Sequence, residues 1–387
     1  MLIISPQKSL RTQGFGLLIL SDVGLWLLGY KSSINEFSFL SIRAKFSNDI
    51  KCATRYFFAA LLFMMYSSNC TAEDDSFFKP EQWQVSGYLK LAFEAPNQKP
   101  TAIILDDLSL FVSAHINRWL NPFIEAELYS VPLWESGRGF QMNQVHFTIE
   151  RLYNDIKINN EDTLRLGKFL APVSRWNKLH AAPLVWTTNR PITTQYSYAN
   201  YISGVQFRHE FDLFSGQAVE VYIQPYKEFF NKPIIMQDRL YRWVLGATWV
   251  IEEDLDAYYA LSFQHADVDE GNEGRTTLSF NAFLQRPSFE FESEFLVTFI
   301  ETDQAQIKHQ DWGGYVQMSV PILWDLHLIS RYEHFEFANK VIANDSLLSG
   351  VVYRPYSKLS LKLEWQQTWG SIYKNGSGLY ASIAVMF

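Results

Sequence analysis

The sequence predicts an all-β chain: a transmembrane antiparallel β-barrel of about sixteen strands, with its third loop folded inward. Three observations predict it. Apolar and polar residues alternate with a period of two through most of the chain from residue 82 onward. The links between these stretches are by turns tight and long. The chain also ends "LYASIAVMF", where Leu379, Ala381, Ile383, Val385 and Phe387 form one apolar stripe with no polar tail after it.

Composition agrees with this class. The 387 residues are 16% aromatic, mostly Phe and Tyr, which favour strands. Mean hydropathy is -0.10, a value that water-facing and lipid-facing residues reach together when they alternate along transmembrane strands.

The first 72 residues stand apart. Tyr56 to Tyr66 is an apolar run of 11 residues, preceded by Lys51 and Arg55 and followed by Cys70 and Ala72. A basic flank, a run too short to span a bilayer and small residues behind it predict a signal peptide over 51–72, cut after Ala72. A buried core helix and a lipoprotein signal at Cys70 are the other readings. Residues 1–50 are expected to be an over-extended N-terminus outside the fold, or else part of an unusually long signal region, which leaves 73–387 as the barrel. That barrel segment has no cysteine, so disulfides do not stabilise it. It carries 26 basic and 38 acidic side chains, a net charge of −12 that excludes a nucleic-acid partner.

The strands follow in order. Their predicted spans are 85–95, 103–116, 121–130, 140–152, 162–170, 202–211, 217–225 and 239–251 in the first half. In the second half they are 255–266, 275–286, 288–300, 312–320, 325–336, 346–354, 358–368 and 378–387. In 217–225, Val219, Val221 and Ile223 oppose Glu220, Tyr222 and Gln224. In 275–286, Leu278, Phe280, Ala282 and Leu284 oppose Ser279, Asn281 and Gln285. In 288–300, Phe289, Phe291, Phe295, Val297 and Phe299 oppose Glu290, Glu292 and Glu294. In 358–368, Leu361, Leu363 and Trp365 oppose Lys362, Glu364 and Gln366. Most spans are long enough to cross a hydrocarbon layer when tilted.

The links carry the second argument. After even-numbered strands they are tight, as at Arg286-Pro287 and Leu323-Trp324-Asp325. After odd-numbered strands they are longer and more polar, as at 226–238 and 301–311. A barrel with short turns at one rim and long loops at the other has this parity. The link around 154–161 is the exception, long for a turn. Trp119, Trp324 and Tyr356 lie near the tight turns and Trp134, Trp312 and Trp369 near the long loops, as two interfacial girdles require. In a closed barrel the last strand pairs with the first, Val85 to Glu94, and leaves no edge in lipid.

If the apolar stripes face lipid, the others line the lumen. The acids there are Glu125, Glu127, Glu150, Glu210, Glu220, Glu290, Glu292, Glu294, Glu333 and Glu364; the bases are Arg165, Arg208, Arg242, Arg331 and Lys362. So many charges need water, which a barrel of this width admits. Strict alternation points Lys168 toward lipid, a conflict that a bulge or a place near the rim removes. The longest link, after Leu170 and on to Tyr201, is too apolar for a solvated loop and too rich in proline and Asn for a strand. Folding it inward against the wall is the economical solution.

Here the chain resembles the bacterial outer-membrane porins. Its terminal Phe387 resembles the signature that barrel-assembly machinery reads. The stretch "RLGKFLAPVSRWN" resembles most the matching segment of porins related to the phosphate-selective O and P type. The resemblance implies a water-filled channel for small hydrophilic solutes and ions in the bacterial outer membrane, in contact with its lipids, and a homotrimer. It implies that Arg175, Lys178, His180 and Arg190 form the constriction; solvating the loop surface is the plainer role for these four. The sequence departs from that type in its wall, where acids outnumber bases about two to one, so weak ion selectivity is expected.

No Cys-x-x-Cys, His-Glu-x-x-His, Gly-x-Ser-x-Gly or phosphate-binding glycine loop occurs in 73–387, and the eight histidines have no ligand spacing. The expectation is therefore no enzyme, no cofactor and no metal. A barrel hydrolase with a Ser and His on adjacent strands at the lipid face is one alternative. A barrel anchor or adhesin is the other.

Overall fold

The computed structural model describes residues 79–140, 146–211, 216–226, 240–253, 256–268, 273–302, 309–338, 343–370 and 376–387. The expected signal peptide and the segment before it lie outside the described residues. The strands are β1 (Trp83–Pro96), β2 (Ala102–Ala114), β3 (Pro122–Glu135), β4 (His146–Lys157), β5 (Asp162–Leu170), β6 (Tyr201–Glu210), β7 (Gln217–Gln224) and β8 (Tyr241–Glu253). They continue as β9 (Ala257–Val268), β10 (Glu273–Arg286), β11 (Phe289–Thr302), β12 (His309–Leu323), β13 (Leu326–Glu336), β14 (Asn344–Tyr356), β15 (Leu359–Trp369) and β16 (Gly378–Met386). They form one 17-stranded sheet with a two-residue rung, Gly139–Phe140, that pairs with the end of β3.

Each strand pairs antiparallel with the next, and β1 pairs with β16 from Tyr88↔Met386 to Pro96↔Gly378, so the ring is closed. Gly87 and Phe387 extend that seam by exchanging two backbone hydrogen bonds of 2.9 Å. Closure leaves no row of unpaired backbone groups, which hydrocarbon would not tolerate.

The two faces differ as a membrane barrel requires. Leu261, Phe280, Phe295, Val316, Leu347, Leu363 and Ile383 are exposed on the outer face. Their neighbours along the same strands, Ser262, Asn281, Glu294, Gln317, Ser346, Lys362 and Ser382, are buried on the inner one. At the rims, Trp324 is 98% exposed and Tyr356 73% at the short turns, and Trp369 is 50% exposed at the opposite end.

Three local departures from the sequence reading have simple causes. The long turn expected near 154–161 is short, because β4 continues to Lys157. Asn159 then closes it, its side-chain oxygen accepting from the amides of Glu161 at 2.8 Å and Asp162 at 2.6 Å. Lys168 is kept from lipid: it is buried, donates to the Ile149 carbonyl at 3.1 Å and lies 5.0 Å from the Tyr201 ring. Arg242 is the correction to the lumen set. The pairing of β8 with β9 skips it, passing from Asp267↔Trp243 to Val268↔Tyr241. This bulge turns Tyr241 inward and leaves Arg242 exposed at the rim, 3.3 Å from Asp267.

Candidate functional site: the lumen and its inserted segment

Between β5 and β6 the chain leaves the sheet for residues 171–200. Two one-turn helices, α1 (Arg175–Lys178) and α2 (Thr193–Tyr196), are the only regular pieces described within it. The segment is tied at its base. Asn177 donates to the carbonyls of Ala171 and Asn200, both at 2.9 Å, and the Ala171 amide donates to Asn200 at 2.8 Å.

Its contacts are with the polar faces of the strands, so it occupies the lumen. The Pro172 carbonyl accepts from Thr248 of β8 at 3.0 Å, and that of Val173 from Asn281 of β10 at 2.9 Å. Ser174 donates to Glu294 of β11. The Ser197 carbonyl accepts from Thr277 at 3.0 Å, and the Ala199 amide donates to Gln264 at 2.7 Å. Apolar residues complete the contact. Phe169, Val173, Ile192 and Tyr198 pack with Val244, Leu296 and Phe335, which point inward from β8, β11 and β13. Part of the lumen is therefore a dry core, which supplies the burial that Leu-rich and Trp-rich loop sequence requires.

Charged wall residues hold the stretch 182–192 through its backbone. Lys362 donates to the carbonyls of Ala182 at 2.9 Å and Thr187 at 3.1 Å, and Lys90 donates to that of Thr188 at 2.8 Å. The Thr188 amide donates to Glu364 at 2.6 Å and the Ile192 amide to Glu333 at 2.9 Å. Arg331 bonds Glu333 at 2.6 Å, Thr187 Oγ1 at 2.5 Å and the Asn189 carbonyl at 2.9 Å. Glu290 accepts from the Trp186 indole. Irregular backbone inside a barrel needs such partners, since each buried amide or carbonyl left alone is costly.

The four residues expected at the constriction are spread along this segment. Arg175 bonds Glu292 at 3.1 Å and stacks 3.6 Å from the Phe283 ring. Lys178 reaches Glu220 at 3.3 Å, and Glu220 also accepts from Arg208 at 2.5 Å. His180 Nε2 lies 3.2 Å from Glu150. The Arg190 guanidinium lies 6.0 Å from the Trp176 ring, and its carbonyl accepts from Gln195 at 3.0 Å. Glu125 is fully buried and paired with Arg151. Sequence reasoning missed Lys90 and Arg151. The first was legible, because Lys90 alternates with Leu89 and Leu91. The second was not, because the pairing skips Glu150 between Glu125↔Arg151 and Ala126↔Ile149, so that Glu150 and Arg151 both turn inward.

Water-accessible space remains beside the segment. A cavity of about 320 Å³ is lined by Arg151, Arg165, Lys178, Gln206, Arg208 and Glu220, among others. A second, of about 340 Å³, lies toward the short-turn rim by Glu161, Gly216 and Glu252, and Arg208 lines both.

No protein-family model matches the chain, and no curated protein matches its sequence. Solved structures do match its fold. OmpF of Salmonella typhi, in complex with daunomycin, superposes with a TM-score of 0.58 at 12% identity, over 79% of this chain and 97% of that one. The chain has the outer-membrane porin fold. An anion-selective porin from Comamonas acidovorans gives 0.54 at 12% identity, over 79% and 98%. The trimer form of Vibrio cholerae OmpT, an outer membrane protein, gives 0.54 at 10% identity, also over 79% and 98%.

Proposed function

We propose that the chain is an outer-membrane porin, a water-filled channel for passive diffusion of small hydrophilic solutes and ions. One observation carries the reading: inside a ring with an apolar skin, two cavities with polar and charged linings share Arg208 beside the inserted segment. In this reading Arg175, Lys178, His180 and Arg190 face the permeation path from the segment. Arg165, Arg208 and Glu220 face it from the wall, with Glu290 and Glu292 near Trp186 and Arg175; Glu125, Glu127, Glu294, Arg331, Glu333, Lys362 and Glu364, also on the inner face, are buried. A signal peptide ending at Ala72 exports the chain, Phe387 presents it to the assembly machinery, and three copies associate. The likeness of Arg165–Asn177 to the matching segment of the phosphate-selective O and P type supports a kinship with that type.

Purified protein in planar bilayers tests this. The expected result is ohmic channels whose reversal potential in a salt gradient moves toward cations in Arg175→Glu/Lys178→Glu. A bilayer that stays silent refutes the channel. An unchanged potential removes the two residues from the path.

The hydrolase reading has one observation in its favour. On the lipid face Thr276 Oγ1 lies 2.8 Å from His265 Nδ1, and Asp267 lies 3.7 Å from the other ring nitrogen. The hydroxyl is that of a Thr where the expected nucleophile is Ser. Labelling by a fluorophosphonate, lost in Thr276→Val, would establish this reading over the channel.

A further inference from the structure

The wall contains many acids, yet the surface that meets water in the inner cavity is basic. Arg151, Arg165, Lys178 and Arg208 line it, with Glu220 as the one carboxylate among the described lining residues. The counter-charges of the others stand outside the lining. Glu125, behind Arg151, is fully buried, and Asp155 binds Arg165 through two bonds of 2.7 and 2.9 Å. Glu220 is placed differently. Its Oε1 lies between Arg208 at 2.5 Å and Lys178 at 3.3 Å, and its Oε2 accepts from Gln206 at 3.1 Å. One cation in this contact comes from β6 and the other from the inserted segment.

We propose that this cavity is a binding step for small carboxylate solutes, and that Glu220 is its built-in competitor. The carboxylate of Glu220 already shows which group the two cations accept and how it is held. A solute carboxylate entering past Arg208 exchanges for it, taking the charge-assisted bonds of Arg208 and Lys178 while Glu220 keeps Gln206. Arg165 and Arg151 supply the surrounding positive field and a second point of attachment for a dicarboxylate. The exchange is reversible and makes no covalent bond, so the solute leaves when Glu220 returns. Selectivity then follows the accessible cations of the cavity and not the total charge of the wall.

This rests on the channel reading, and one experiment separates the two. Chloride current through single channels is recorded with succinate added, in the wild type, Glu220→Gln and Lys178→Gln. The expected result is block by succinate at a half-inhibitory concentration about tenfold lower in Glu220→Gln, since a charge-assisted competitor is gone, and higher in Lys178→Gln. Lys178 belongs to the inserted segment, so that variant tests the site even where Glu220→Gln does not fold. Equal succinate sensitivity in the folded variants, with chloride current intact, overturns the proposal and leaves the channel standing. Stronger block by phosphate than by succinate overturns the carboxylate assignment. A wild type with no chloride current overturns the channel itself.

Discussion

Replacing Arg331 by Met tests how the inserted segment is held. The side chain is fully buried and makes three close bonds, to Glu333 at 2.6 Å, Thr187 Oγ1 at 2.5 Å and the Asn189 carbonyl at 2.9 Å, and a longer one to Gln317 at 3.5 Å. The variant loses those bonds and leaves Glu333 buried without its cation. Breaking a buried pair by removing one partner costs about 3–5 kcal/mol. The three bonds, at about 1–3 kcal/mol each to charged or buried groups, account for a loss of that size. Because two of them end on Thr187 and Asn189, the loss falls on the segment, which should loosen and widen the bore. Denaturant unfolding in detergent, followed by tryptophan fluorescence, should show the destabilisation with little change in slope. Single-channel records should show higher and noisier conductance. Arg331→Met/Glu333→Met removes both charges, so it should recover at least half of the stability while the conductance stays altered. A loss below about 1 kcal/mol with unchanged conductance would mean that these charges do not anchor the segment.

Other changes probe the ring itself. A side chain at Gly87 would meet the Ser109 carbonyl at 2.5 Å and the Phe387 ring at 2.7 Å, so Gly87→Val should cost about 1–3 kcal/mol and weaken the seam, seen as a lower temperature for loss of the compact band on semi-native gels. Asn159→Ala removes the acceptor for two turn amides and should cost about 1 kcal/mol in unfolding experiments, with no effect on conductance. Trp249 and Trp365 are exposed on the outer face, whereas Trp176 and Trp186 are buried inside. Brominated lipids should therefore quench the first pair, and Trp249→Phe/Trp365→Phe should lower the quenchable emission. Equal quenching in that variant would mean that the faces are reversed.

Much of the ring was legible because a period of two is enough to assign faces. The spans around Phe289–Phe299 and Leu361–Gln366 alternate without a break, and their inner and outer residues fall where alternation puts them. Arg242 and Arg151 were not legible in this way, because each sits at a shift of register that depends on the partner strand. The charges teach a different lesson. Glu294, Glu333, Glu364 and Lys362 look like the lining of a wet pore when read strand by strand. In the fold they are buried against the segment after β5, and their partners include backbone groups and a serine more than a hundred residues away in sequence. Alternation identifies the face a side chain takes but carries no information about what covers it. The same limit hid the inward apolar residues Val244, Leu296 and Phe335, whose covering lies in another part of the chain.

Thr188 has a position whose consequence concerns assembly. Its hydroxyl lies 3.0 Å from Ser382 on β16, its carbonyl accepts from Lys90 on β1, and its amide donates to Glu364 on β15. The insert therefore spans, from within, the very joint at which the first and last strands of the ring meet. A single residue of the insert thus clasps three neighbouring strands at the seam, and a chain that misplaces residue 188 should close that seam less firmly.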